Sequence, residues 1–174
     1  METLLRRPIL RTVPVGLFLI ALQRTAFENV HPFGVQLQIV LALCVAAAIP
    51  GGSERGTWLG FVLGVMFDLG NGFPLGQHAL AYGLAAFVAG LVNLVAVDPH
   101  WWLKLIFVAV GGAVGEFTVP VVQTFVTDAG WQGQHLDRIL PVIAVTCALG
   151  SFVLTPLGRW CLAIRNKKWK PRHE

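Results

Sequence analysis

The chain has 174 residues, of which 55% are apolar and 13% are charged, with a net charge of +4 and a mean hydropathy of +0.68. A soluble domain of this size needs a charged surface, so the composition excludes an ordinary soluble protein and indicates a membrane protein. Three windows contain no Asp, Glu, Lys or Arg, namely residues 35–53, 69–97 and 105–115. Each is near or beyond half of the roughly 20 apolar residues that a transmembrane helix needs.

In chain order, the apolar segments predict an all-α, polytopic integral membrane protein that forms one membrane domain, a compact bundle of six transmembrane helices. Turn-forming sequences separate the segments, for example at residues 50–53 and 98–100. A basic tail, expected at residues 159–174, follows the last segment. The expected spans are residues 10–27, 33–49, 57–69, 76–97, 103–127 and 139–157.

The distribution of basic residues predicts the orientation of this bundle. Six spans put both termini on one side, and if that side is cytoplasmic, only Arg24 and Arg138 lie outside. The asymmetry follows the positive-inside rule, so we expect both termini in the cytoplasm. The residues on the inner side are Arg6, Arg7, Arg11, Arg55, Lys104, Arg159, Arg165, Lys167, Lys168, Lys170 and Arg172.

The most distinctive stretch combines regularly spaced glycines with an acidic residue. Gly56, Gly60, Gly64 and Asp68 recur every four residues, so on a helix they form one narrow ridge. A glycine ridge lets a second helix backbone approach closely, which favours helix association within lipid. Residues 70–76 then contain three glycines and Pro74, which indicates a tight turn into the next apolar helix.

This stretch resembles the MreD family, the bacterial rod-shape-determining membrane proteins. The resemblance spans about thirty residues, and the length, span count and termini of the chain are compatible with the family. It implies a multi-pass protein of the bacterial cytoplasmic membrane and a non-enzymatic scaffold of the cell-elongation complex. The residues that carry the resemblance are Gly60, Gly64 and Asp68, followed by Pro74, Leu75 and Gly76 and then by Ala79 and Leu80.

The resemblance also implies partners. MreD proteins associate with the single-span periplasmic protein MreC. Through that complex they link cytoplasmic MreB filaments to the glycan polymerase RodA and its class B penicillin-binding protein. The chain is therefore expected to help maintain cell shape. Independently of the resemblance, the basic tail is expected to attract anionic membrane lipids and to bind no nucleic acid.

A different class of function is also compatible with the sequence. The chain has a remote resemblance to the substrate-binding membrane components of vitamin-uptake transporters, which share a small six-helix architecture. A solute site would need several polar or aromatic side chains facing one cavity. The candidates for such a site are Asp68, Asn71, His78, Tyr82, Asn93 and Glu116.

Asp68 and Glu116 are the two carboxylates embedded in strongly apolar sequence. Ionisable groups within the membrane often mark a pathway or a partner. For Asp68 the alternative is a structural role at the outer helix end, where it is partly exposed and accepts bonds from the amides of residues 69–72. For Glu116 the alternative is an internal hydrogen bond to Thr118, Gln123, His78 or Asn93.

We expect Gly60 and Gly64 to contact another helix backbone, either inside the bundle or in a partner. If a partner helix docks on the bundle, the candidate partner faces carry Gly56, Gly60 and Gly64 or Gly83 and Gly90.

No enzyme, cofactor or metal site is expected. The sequence contains no nucleophile elbow, phosphate loop, metal-hydrolase His pair or Cys-x-x-Cys motif. The five histidines lie in five different segments, whereas a metal site needs converging ligands. The three cysteines lie in or beside apolar segments, so a disulfide framework is not expected.

Overall fold

The computed structural model describes residues 8–25, 37–72, 74–95, 99–126 and 136–162. Within these ranges the chain is helical, with short turns and no β-strand. The all-α expectation is thus confirmed for the described part of the chain. The helices are α1 (Pro8–Thr25), α2 (Ile39–Asn71), α3 (Gln77–Gly90), α4 (Val92–Val95), α5 (Trp101–Val126) and α6 (Leu136–Cys161).

Four helices in the described residues are long and apolar enough to cross a membrane: α2, α3 together with α4, α5, and α6. The chain is therefore a membrane protein by the length and composition of its helices. The first expected span is not among the four. It forms α1, whose 18 residues include Arg11, Gln23 and Arg24 and are therefore less apolar.

The 33-residue helix α2 is interrupted at Gly52, where the backbone has φ 79° and ψ 171°. This conformation is essentially restricted to glycine. A straight helix of this length would be about 50 Å long. However, the neighbouring residues Gln23 and Arg24 of α1 contact Val40 near the start of α2 and Gly70 near its end. The two halves of α2 are therefore antiparallel, folded back at Gly52.

The fold-back differs in its bounds from the expected second and third spans. We expected residues 50–56 to form a connecting loop, but helical geometry continues through Pro50 and resumes at Ser53. The second half of α2 therefore runs over residues 53–71 rather than 57–69. Residues 33–36 of the expected second span lie outside the described residues. Pro50 lies in the last turn before this break.

The first half of α2 lies at the centre of the bundle. Residues 40–48 are all buried, as expected for a helix that is apolar on every side. The second half of α2 packs against α3, and α5 packs on α3. α6 packs on α2 and α5, and α1 packs on α2. Cys44, Cys147 and Cys161 are buried and free, so no disulfide joins them.

The remaining bounds are close to the expected ones. α5 begins at Trp101 and α6 extends from Leu136 to Cys161, so both are slightly longer than the fifth and sixth expected spans. The beginning of α1 and the end of α6 lie side by side, because the Arg11 guanidinium donates to the Trp160 carbonyl and stacks 5.4 Å from its ring centroid. Most of the expected basic tail, residues 163–174, lies outside the described residues.

Candidate functional site

Asp68 lies in the last turn of α2 and has no exposed surface. Its carboxylate accepts hydrogen bonds from the backbone N–H of Gly76, at 2.9 Å, and of His78, at 3.1 Å. The His78 ring nitrogen Nδ1 lies 2.7 Å from Oδ1 of Asp68. Gly76 is the N-cap residue of α3 and has no side chain that could bond the first amides of the helix. His78 lies in the first turn of α3. Asp68 therefore caps α3 from the end of the preceding helix.

This arrangement corrects the expected partners of Asp68. We expected bonds from the amides of residues 69–72 at a partly exposed helix end. The amide of Gly72 instead donates to the backbone carbonyl of Asp68, as part of the helix end. The carboxylate is buried because the turn brings the first amides of α3 over it.

The turn depends on the glycines at its two ends. Gly72 has φ 70° and Gly76 has φ 100°, both in the left-handed region that favours glycine. Between them, Pro74 and Leu75 are exposed, and the Pro74 carbonyl accepts a bond from the N–H of Gln77 at 3.3 Å. The Pro-Leu-Gly sequence thus reverses the chain, so that α3 starts beside the end of α2.

An aromatic cluster lies next to Asp68. The ring centroids of Phe67 and His78 are 4.8 Å apart, those of Phe67 and Tyr82 are 5.7 Å apart, and those of His78 and Tyr82 are 5.5 Å apart. Tyr82 is completely buried and His78 nearly so. His78 and Tyr82 share one face of α3, as the four-residue spacing predicts.

The glycine ridge of α2 lies against the backbone of α3. A methyl group at Gly60 would lie 2.8 Å from the carbonyl carbon of Tyr82, and one at Gly64 would lie 2.6 Å from the backbone nitrogen of Ala79. Real side chains do not approach a backbone so closely. The two glycines therefore contact another helix backbone within the chain, and the close crossing of α2 and α3 depends on their lack of a side chain.

The candidate partner faces cover each other in the same way. A methyl group at Gly56 would overlap Ala48, and one at Gly90 would lie 2.5 Å from the backbone of Ser53. Gly83 is also buried, facing Thr57. These faces are therefore occupied by the chain's own helices. The residues concerned are Gly56, Gly60, Gly64, Gly83 and Gly90.

Glu116 on α5 is half-buried and accepts a hydrogen bond from the side-chain amide of Gln38, at the start of α2. Its partner is therefore none of the four residues that we considered. The pair is 78 residues apart in the chain. Gly115, next to Glu116, brings the helices together: a methyl group there would lie 3.0 Å from Leu41 and 3.3 Å from the carbonyl oxygen of Ala81.

The other polar candidates are engaged in helix ends rather than grouped in one cavity. Asn71 donates to the Phe67 carbonyl at 2.8 Å, and Asn93 donates to the Ile49 carbonyl at 2.7 Å. Asn71 caps its own helix, whereas Asn93 joins α4 to the first half of α2. Of the six residues expected for a solute site, the structure brings Asp68, His78 and Tyr82 together.

Two residues of α1 that were not among the predicted site residues also hold helix ends. The Gln23 side-chain oxygen accepts from the N–H of Val40 at 3.2 Å, and Arg24 donates to the Gly70 carbonyl at 2.7 Å. Their signal in the sequence is a pair of polar residues in an otherwise apolar segment. α1 therefore joins the start and the end of α2.

Within the described ranges, no group of three or more His, Cys, Asp or Glu side chains is placed to hold a metal ion. Comparisons with protein-family models, curated proteins and solved structures find no match to this chain.

Proposed function

We propose that the chain is a non-enzymatic scaffold of the bacterial cell-elongation complex, in the manner of the MreD proteins that it resembles. The observation that carries the proposal is the Asp68 junction. The residues of the resemblance, Gly60, Gly64, Asp68 and the turn at 74–76, form one contiguous unit that fixes α3 against α2. A close helix pair whose buried Asp68 carboxylate is bonded within the chain suits a protein that positions partners.

The proposal includes six crossings of the bacterial cytoplasmic membrane, with both termini in the cytoplasm. It is supported by six helical segments: α1, the two halves of α2, α3 with α4, α5 and α6. It is also supported by the contact of Arg11 with Trp160, since an even number of crossings puts these two ends on one side. The excess of Lys and Arg at that end favours the cytoplasm.

The proposed partners are an MreC-like single-span protein and, through it, RodA and a class B penicillin-binding protein. Because the two glycine faces are occupied, we place the partner helix on the outer faces of α1, α5 and α6. Large apolar side chains are exposed there, including Leu17, Val110 and Leu149. Lipids would contact the same lateral surface.

Depletion of the chain in its bacterial host tests the scaffold proposal. We expect rod-shaped cells to become round, and purification in a mild detergent to co-isolate a single-span periplasmic protein. Unchanged cell shape together with the absence of such a protein would contradict the proposal.

Disulfide crosslinking then locates the partner helix. In a variant with Cys44, Cys147 and Cys161 replaced by serine, cysteines at Leu17, Val110 and Leu149 sample the outer faces of α1, α5 and α6. At least one of these positions should crosslink to the partner. The matched control is a cysteine at Gly83, which is buried between helices and should not crosslink.

The second candidate is a substrate-binding membrane component of a vitamin-type uptake transporter. The observation that favours it is that the side-chain amide of Gln77 and the hydroxyl of Tyr82 are buried and have no hydrogen-bond partner among the described residues. Tight binding of a vitamin-like solute by the purified protein, together with unchanged cell shape on depletion, would favour this alternative.

A further inference from the structure

Three polar side chains, two of them buried and Gln38 half-buried, carry buried atoms without a hydrogen-bond partner among the described residues. The unpaired atoms are the amide nitrogen and oxygen of Gln77, the hydroxyl of Tyr82 and the carbonyl oxygen Oε1 of Gln38. Gln77 is 2% exposed and Tyr82 is 0% exposed. A buried polar group without a partner is destabilising, and native proteins contain few of them.

The three side chains lie near the place where α2, α3 and α5 meet, since Leu41 and the Ala81 carbonyl both lie against Gly115. Gln38 donates its amide to Glu116, and Tyr82 directly follows Ala81 on α3. Gln77 lies one helical turn before Ala81, on the same stripe of α3. The Ala81 carbonyl faces Gly115 of α5, so this stripe of α3 faces α5. The unpaired groups therefore come from the start of α2 and from the part of α3 that lie beside the segment of α5 carrying Glu116.

The chemistry of these groups restricts what could satisfy them. The Gln77 nitrogen only donates, the oxygens of Gln77 and Gln38 only accept, and the Tyr82 hydroxyl does both. A bare cation would leave the Gln77 nitrogen unpaired, and an anion would leave the two amide oxygens unpaired. An apolar group would satisfy none of them. The complement must both donate and accept, as water, a hydroxyl or an amide does.

We propose that Gln38, Gln77 and Tyr82, beside Glu116, form an internal site for a small neutral group that both donates and accepts hydrogen bonds. The group is either ordered water or the hydroxyl or amide of a small solute. Water in such a site bridges the polar side chains of α3 to the Gln38–Glu116 pair. The site does not depend on the scaffold proposal, because the unpaired groups are observed whatever the chain binds at its surface.

Radiolytic hydroxyl-radical labelling of the unmodified protein tests the site directly. Radicals generated from bound water or delivered to a polar site modify the side chains around it. After correction for intrinsic reactivity, Tyr82 should be labelled faster than Leu63 and Ile143, which are equally buried in apolar surroundings. Labelling of Tyr82 no faster than theirs would overturn the proposal, because it would show a dry site.

Native mass spectrometry separates the two sources of the group. A retained neutral species of defined mass, lost in the Gln77→Leu/Tyr82→Phe double variant, identifies a solute. Labelling of Tyr82 without any added mass identifies water. Both results support the site, and the first would also favour the uptake alternative.

The sign of a stability change provides the second test. Tyr82→Phe removes one hydroxyl and keeps the ring contacts. If the site is occupied, the variant loses a hydrogen bond, and its thermal midpoint should fall. If the hydroxyl is truly unpaired, its removal relieves a buried polar group, so an unchanged or raised midpoint would overturn the proposal. The matched control is Thr118→Val, which removes a hydroxyl that donates to the Val114 carbonyl of its own helix at 2.7 Å. It shows the change in thermal midpoint that follows the loss of one such hydrogen bond.

Discussion

The Asp68 carboxylate is tolerated inside the bundle because both of its oxygens are bonded. Oδ1 accepts from the His78 backbone and lies beside the His78 ring, while Oδ2 accepts from Gly76. A buried carboxylate is costly to desolvate, and amide donors of this kind compensate for that cost. The same donors are the free amides of a helix N-terminus, which also favours negative charge. One side chain therefore satisfies the end of α3 and joins it to α2.

Replacement of Asp68 tests this junction. Asp68→Ala removes the acceptor and leaves the first amides of α3 unpaired, so we expect a loss of about 3 kcal/mol in the free energy of unfolding. Asp68→Asn keeps one acceptor oxygen and should lose less. The measurement is unfolding of the purified protein in detergent micelles, followed by circular dichroism.

The matched control is Asp137→Ala, which removes an exposed carboxylate from the first turn of α6. It should change the free energy of unfolding by less than about 1 kcal/mol. Equal effects of the two substitutions would show that Asp68 does not cap α3.

At the level of helices, the packing of α3 depends on small residues on both of its faces. Gly60 and Gly64 of α2 meet its backbone on one side, and Gly111 and Gly115 of α5 meet Ala85 on the other. Such contacts let backbones approach closely, and in lipid this packing replaces the hydrophobic drive that operates in water. α3 is thus held between α2 and α5.

A pair of glycine-to-alanine substitutions separates close packing from helix propensity. In Gly64→Ala the new methyl group would overlap the backbone of Ala79, so we expect a loss of about 1–3 kcal/mol in the free energy of unfolding. In Gly83→Ala the nearest atom, the Thr57 carbonyl oxygen, lies 3.7 Å from the methyl position. Because alanine favours helix, Gly83→Ala should be neutral or stabilising by up to about 1 kcal/mol. A similar loss in both variants would contradict the α2–α3 crossing.

The sequence predicted local features of this arrangement and missed those that depend on distant residues. The four-residue spacing of Gly60, Gly64 and Asp68 defines one face of a helix whatever surrounds it, so the ridge was predictable. The Gln38 partner of Glu116 was not, because the pairing depends on how α2 and α5 are placed. The capping of α3 by Asp68 was missed since it depends on the shape of the turn.

The interruption of α2 is another feature that the sequence predicted only in part. Pro50, Gly51 and Gly52 indicate a break, and the sequence predicted a loop of several residues there. Within α2 only Gly52 lies outside helical geometry, and its φ of 79° redirects the chain within one residue. Local composition indicated the position of the break, but its length depends on the packing of Gly56 against Ala48.

At the scale of the whole molecule, contacts at the two ends of the bundle relate the helices to one another. Arg11 and Trp160 join the start of α1 to the end of α6 at one end. At the other end, Gln23 and Arg24 join the end of α1 to both ends of α2. Asn71 therefore lies at the opposite end of the bundle from Arg11.

Cysteine labelling in intact cells tests the proposed orientation. In a variant without the three native cysteines, Asn71→Cys should react with an impermeant thiol reagent, because the positive-inside rule places the Arg11 end in the cytoplasm. Gln132→Cys should react in the same way, although residue 132 lies outside the described residues. Lys168→Cys in the basic tail should react only after the cells are permeabilised. Labelling of Lys168→Cys in intact cells would reverse the orientation, and labelling of only one of the two expected outer positions would contradict the six crossings.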